Sequence, residues 1–179
     1  ETVFAASSGQ TGKAKIMADS SSLEAVSNKT LLQVTGIEGF VKMMNTDLTS
    51  AASVLADVKT DKNKNGGKLL LYGVNQDYSG DITCDESSKV KLVLTEGSSY
   101  SGTFDAKGTA AYSKVYLSKS SKWNVTGDSH VSSLRNGDKK CRNIQSGGHT
   151  IYYDKNREAN NWLGGKTVSL PGGGRLQPE

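Results

Sequence analysis

A tripeptide returns at a fixed interval in the middle of this chain, and that return limits the fold more than any other feature. Tyr78-Ser79-Gly80 is followed 22 residues later by Tyr100-Ser101-Gly102, and Trp123 stands 23 residues beyond Tyr100. Ahead of each aromatic runs a short alternating segment: Leu70 and Tyr72, then Leu92 and Leu94, then Val115 and Leu117. Alternation with a period of two belongs to a strand with one face inward. A unit of about 22 or 23 residues is too short for a helical repeat or a propeller blade. It suits one coil of a parallel β-helix, whose coils stack at the strand spacing of about 4.8 Å and pile equivalent residues into ladders. The expected inner ladders are Leu70, Leu92 and Val115; Tyr72, Leu94 and Leu117; and Tyr78, Tyr100 and Trp123. The aromatic ladder has a second reading, as an outer row that stacks on sugar rings. Its phase with the leucines favours the core.

Composition agrees with an all-β chain. The 179 residues are enough for one domain. Only 35% are hydrophobic and glycine occurs 20 times, a poor composition for a helical bundle. No stretch approaches the roughly 18 apolar residues of a membrane span, so no membrane insertion is expected. The net charge is +4. Arginine occurs only at Arg135, Arg142, Arg157 and Arg175. Two basic runs, Lys59, Lys62, Lys64 and Lys68, and Arg135, Lys139, Lys140 and Arg142, read as solvated turns. Arginine is not clustered with aromatics as readers of base edges require, so nucleic acid is not an expected partner.

The solenoid is expected to occupy residues 26–179, with residues 1–25, rich in Ser, Gly, Lys and Ala, as an N-terminal arm or cap. Leu31, Leu32, Val34, Ile37, Phe40, Val41, Met43 and Met44, then Val54, Leu55 and Val58, suit two earlier coils. The run Ser50–Asp57 has neither a capping box nor a helical stop and reads as strand rather than helix. Thr150–Tyr153, Lys166–Leu170 and Gly174–Leu176, punctuated by Gly164-Gly165 and Gly172-Gly173-Gly174, are expected closing strands.

Cys84 and Cys141 lie 57 residues apart, about two and a half coils. Their coil positions are therefore expected to differ, and either a disulfide or two free thiols remains open. No charged segment followed by an apolar one is legible, so the chain is expected to be either cytosolic or already processed, and Glu-Thr-Val-Phe-Ala-Ala-Ser-Ser-Gly is small and polar as the mature termini of secreted proteins often are. Candidate acids fall in turns or at different coil positions: Asp77, Asp81, Asp85 and Glu86, then Glu96, Asp105 and Asp128. Nothing in the repeat holds two of them at the separation a glycosidase pair needs. His130 and His149 are the only imidazoles. There is no Gly-x-Ser-x-Gly elbow, and Gly172-Gly173-Gly174 lacks the lysine and helix of a phosphate loop. No cofactor is expected. Calcium is the one ion that turn Asp and Asn oxygens could take. Asn28-Lys29-Thr30 and Asn124-Val125-Thr126 are sequons that matter only in a glycosylating host.

The run NQDYSGDITCDESSKVKLVLTEGSSYSGTF, Asn75 to Phe104, with Lys122–Ser129, Leu134 and the close Gly148–Asp154, resembles secreted right-handed parallel β-helix proteins described as adhesin-like in anaerobic bacteria and other microbes. The resemblance spans about Leu69 to Leu176. It implies a right-handed solenoid at the cell surface or outside the cell, without enzymatic activity, and carries over no catalytic residues. The expected function is a non-enzymatic module with a structural or adhesive role. The alternatives are a carbohydrate-binding or carbohydrate-active β-helix, with a glycan or other surface ligand as partner, and a filament subunit assembled head-to-tail.

Overall fold

The computed structural model describes residues 2–7, 12–25 and 29–179. Over them the chain winds as an all-β solenoid of about seven turns, its parallel strands stacked turn upon turn. The first coil holds β1 (Thr2–Ser7), β2 (Lys13–Asp19) and β3 (Ser22–Ala25), and the second β4 (Thr30–Thr35), β5 (Glu38–Met44) and β6 (Asp47–Ser50). The third holds β7 (Val54–Lys59), β8 (Lys68–Val74) and β9 (Asp77–Ser79), and the fourth β10 (Asp81–Cys84), β11 (Lys89–Thr95) and β12 (Ser99–Ser101). Then come β13 (Tyr112–Leu117), β14 (Lys122–Asn124), β15 (Ser129–Val131), β16 (Ser133–Asn136), β17 (Ile144–Gln145) and β18 (Thr150–Tyr153). A 3-10 helix over Glu158–Leu163 and the strands β19 (Val168–Ser169) and β20 (Arg175–Pro178) close the chain.

These strands make three faces. The first runs β1-β4-β7-β10 and continues through the Ile82–Phe104 bridge and the His130 N–H to Phe104 O bond to β15, β18 and β20. The second is one sheet of six strands, β2-β5-β8-β11-β13-β16. The third is β3-β6 followed by β9-β12-β14-β17. Alternation sends one row of each strand to a continuous interior, so Val90, Leu92 and Leu94 are fully buried while Lys89 and Lys91 beside them are exposed.

A turn of the solenoid takes 22 residues from Asp77 to Ser99 and 23 from Ser99 to Lys122, the interval legible in the sequence. Elsewhere it ranges from 19 (Lys114 to Ser133) to 30 (Glu38 to Lys68), because the corners absorb insertions without disturbing the sheets. The longest corner is folded by Asp61, whose carboxylate accepts the backbone N–H of Asn63 and of Asn65 at 2.9 and 2.8 Å.

The aromatic ladder is interior: Tyr78, Tyr100 and Trp123 stand in register and are each at most 2% exposed. Leu92 pairs with Val115, and Leu94 with Leu117. In the third coil the expected phase is corrected by one residue. Leu71, not Leu70, stands beside Leu92, and Gly73, not Tyr72, beside Leu94; Leu70 and Tyr72 lie on the outer row, half-buried. The cause is in the corner. Two residues separate β8 from β9, whereas three, including Gly97 at φ +84, separate β11 from β12, and a one-residue slip exchanges the faces of a strand. Gly73 in a leucine column is explained by Tyr78. A Cβ at Gly73 would sit 2.9 Å from the Tyr78 ring and 3.2 Å from Leu94 Cδ2. Gly73→Val is therefore expected to overpack the core at about 1–3 kcal/mol, read as a lower urea midpoint; an unchanged midpoint would mean that the ring moves aside freely.

Residues 13–25 of the expected arm or cap are no separate element: β2 and β3 pair in parallel with β5 and β6 as part of the first coil. Glu1, residues 8–11, and residues 26–28 with the sequon residue Asn28 lie outside the described residues. At the other end, the edge of β16 is covered without a further strand. Asn160 Oδ1 accepts the Leu134 N–H at 2.8 Å, Asn160 Nδ2 donates to Ser132 O at 3.0 Å, and Trp162 Nε1 donates to Leu134 O at 3.0 Å. Side chains of the 3-10 helix thus do what a strand backbone would do. Beside them, β19 returns antiparallel on β20, and the Pro171 carbonyl accepts the Ser146 N–H past β17. Asn160→Ala leaves buried backbone groups unpaired, at about 1–3 kcal/mol each. Faster amide exchange at Leu134, with the centre of the solenoid unaffected, is the expected signature.

Candidate binding face

The outer side of the six-stranded face collects the cations. Lys13, Glu38, Lys68, Lys89 and Tyr112 form one column across β2, β5, β8, β11 and β13. Lys15, Phe40, Leu70, Lys91 and Lys114 form the next, and Met17, Lys42, Tyr72, Val93, Tyr116 and Arg135 a third. Eight cations stand here with two carboxylates, Glu38 and Asp19, so this one surface exceeds the +4 of the whole chain and the rest of the molecule is net acidic. Strand alternation puts every other residue on one side, and stacking lays strands distant in sequence side by side.

The lysines are interleaved with rings. Lys15 Nζ lies 5.8 Å from the Phe40 centroid, Lys42 Nζ 5.6 Å from that of Tyr72, and Lys91 Nζ 6.0 Å from that of Tyr112, distances at which a cation interacts with a ring. Glu38 binds Lys68 at 2.9 Å and Lys13 at 3.5 Å, and Lys68 first, then Lys13, holds its carboxyl below the usual range. Lys15, Lys42, Lys89, Lys91, Lys114 and Arg135 have no carboxylate partner among the described residues. A groove of about 620 Å³ runs over this part of the sheet, between the alkyl stems of Lys15, Lys68, Lys89 and Lys91 and floored by Phe40 and Leu70.

The other faces differ. Gln33, Asp57 and Thr83 make one outer column of the first face, with Thr83 Oγ1 donating to Asp57 at 2.9 Å, and the single lysine beside them, Lys59, is tied to Asp57 at 3.0 Å. The third face shows Ser22, Glu24, Asp47, Thr49, Asp77, Ser79, Ser99, Ser101, Lys122 and Asn124, mostly hydroxyls and acids.

Four of the acids singled out in the sequence are engaged in joining coils. Asp81 Oδ1 accepts the Thr103 N–H at 2.8 Å, Asp128 Oδ1 the Thr150 N–H at 2.8 Å, and Asp85 both the N–H and the hydroxyl of Thr60. Asp77 accepts from the Ser99 hydroxyl. Glu96 and Glu86 are at corners, Glu96 with φ +52. Asp105 is buried, and burial raises its pKa, opposed by the Ala110 and Thr109 amides. Among the described residues no three His, Cys, Asp or Glu side chains converge as metal ligands.

His130 stacks on Tyr152 at 4.7 Å with Nδ1 against Asp105 O, while His149 faces Asp128 at 3.7 Å. The two cysteines are free and buried, Cys84 on the first face and Cys141 in the turn after β16. Burial pushes the Cys84 thiol up to about 12 and raises that of Cys141, which leaves both poor nucleophiles.

Sequence reasoning missed the corner hydroxyls. Ser88, Ser98, Ser121 and Ser146 are fully buried, and Ser88 and Ser98 accept the N–H groups of Gly67 and Gln76 one coil below. The signal was present: Gln76, Ser98 and Ser121 each stand two residues before a ladder aromatic.

No protein-family model, no curated protein and no solved structure matches this chain. Of the expected likeness, the structure bears out the parallel solenoid alone.

Proposed function

We propose that the protein is a non-enzymatic module of the extracellular or cell surface, adhesive in role, whose working surface is the outer side of the six-stranded face. One observation carries the reading: cations and rings from six strands are gathered on a single sheet, and six of those cations lack carboxylate partners among the described residues. A rigid core sets their positions in the middle of the sheet, where Leu70, Tyr72, Lys91 and Val93 are each flanked by buried neighbours in the same strand. Asp81 and Asp128 are already bonded to backbone amides of the next coil and Asp85 to Thr60 of the coil before, which supports binding over catalysis. Among the described residues, the covered edge of β16 and the placing of residues 13–25 within the first coil favour the adhesive reading over a head-to-tail filament.

The test is attachment of the labelled whole chain to intact cells and to a glycan array. Val93→Asp, which changes the six-stranded face, should release it, and Thr49→Asp, on the third face, should not. Equal attachment by both variants would remove the face from the function, and turnover in a panel of polysaccharide substrates would overturn the non-enzymatic part.

A further inference from the structure

We propose that the ligand of the six-stranded face is a linear acidic polysaccharide, a chain of carboxylate-bearing sugars lying across the strands; this rests on the adhesive reading above and names its partner. A polymer crossing the strands meets a new side chain of one column at every strand, about each 4.8 Å, a step comparable with one pyranose in an extended chain. Between β2 and β16 it would cross about 24 Å of sheet. Along this path cations stand among apolar side chains and rings: Lys15, Phe40, Leu70, Lys91 and Lys114 in one column, Met17, Lys42, Tyr72, Val93 and Tyr116 in its neighbour. Ammonium groups meet carboxylates, and the rings of Phe40 and Tyr72 meet the C–H faces of the sugars. The groove floored by Phe40 and Leu70 lies on this path.

Two other polyanionic surfaces fit less well. A nucleic-acid duplex is a cylinder that touches a flat sheet along a narrow strip, and its readers use the arginine fork, whereas seven of the eight cations here are lysines. An anionic bilayer is gripped by apolar side chains that project from a basic surface; Phe40, Leu70, Tyr72 and Val93 are half-buried, and Met17 is the one exposed large hydrophobic side chain among the described residues.

The experiment measures binding of the whole chain to alginate and hyaluronate, with dextran, duplex DNA and phosphatidylserine vesicles as comparators. The expected result is binding to the two polyuronates that weakens as salt screens the charges. It should weaken at least tenfold in Lys91→Glu/Lys114→Glu and less in Lys91→Gln/Lys114→Gln. A control with the same change in net charge elsewhere, Lys107→Glu/Lys155→Glu, should bind as the unaltered chain does. Tyr72→Ala, neutral in charge, should weaken polyuronate binding several-fold. Circular dichroism of each variant verifies the fold. Equal loss in the control, tighter binding to DNA or vesicles, or indifference to Tyr72→Ala would overturn the acidic-glycan assignment. Binding to cells and to dextran through the same face, with none to polyuronates, would overturn it while leaving the adhesive reading intact; loss of face-dependent attachment altogether would remove both.

Discussion

Leu94→Asp is expected to prevent folding. Leu94 is fully buried in β11, between Gly73 of β8 and Leu117 of β13. A carboxylate there would have no partner, and its desolvation would be set against a net stability of only about 5–15 kcal/mol for a domain. Protonation lowers the penalty but leaves a polar group and lost packing, and Leu→Ala alone costs about 2–5 kcal/mol at buried sites. The neighbouring substitution Lys91→Asp, on the outer row of the same strand, should fold. Far-UV circular dichroism and urea titration of the pair form the measurement. If Leu94→Asp folded and Lys91→Asp did not, the inner and outer rows of β11 would have to be exchanged.

Trp123→Ala has the next largest expected effect. The indole is the largest fully buried side chain. Its ring centroid lies 6.0 Å from that of Tyr100 and 6.2 Å from that of Phe104, joining the third face to the first, and its Nε1 donates to Gly102 O at 3.1 Å. Truncation to alanine should cost about 3–5 kcal/mol. Trp123→Phe keeps much of the volume and gives up the hydrogen bond, so it should fall between the two, with about 1 kcal/mol of its loss due to the bond. A Trp123→Ala protein that lost less stability than Trp123→Phe would show that the cavity collapses.

The regular middle of the solenoid was legible because its aromatics mark one corner at a constant interval. Tyr78, Tyr100 and Trp123 could be aligned without knowing where the strands began. Strand phase was legible only where the corner had constant length. Three consecutive leucines, Leu69, Leu70 and Leu71, satisfy either phase, and the absence of a residue equivalent to Gly97 decided between them. The covering of β16 was hidden for another reason. It depends on Asn160 and Trp162, which meet Ser132 and Leu134 from 28 residues away, and no periodicity marks such a pairing. The binding face escaped notice because its lysines are never adjacent. Read along the chain, Lys15, Lys42, Lys91 and Lys114 are separate solvated charges, and only the sheet register brings them into two neighbouring columns.

The two ends of the solenoid are unlike, and this gives the molecule a direction in which it comes apart. Each coil is stabilised only through its neighbours, so order is lost as in a zipper, from an end inward. At the β16 end, side-chain groups of Asn160 and Trp162 occupy the last backbone donors and acceptors. At the β2 end, Ala14, Ile16 and Ala18 form an inner row that is only half covered, so β2 contributes less burial than β5 and β8 behind it. Deuterium should therefore enter β2 first, then β5, and reach β11 and β13 only with global unfolding. Tension on the chain would meet the same asymmetry: applied from the N-terminal side it would strip coils one at a time, each yielding the length of its own turn, between 19 and 30 residues, while the far end held as a stop.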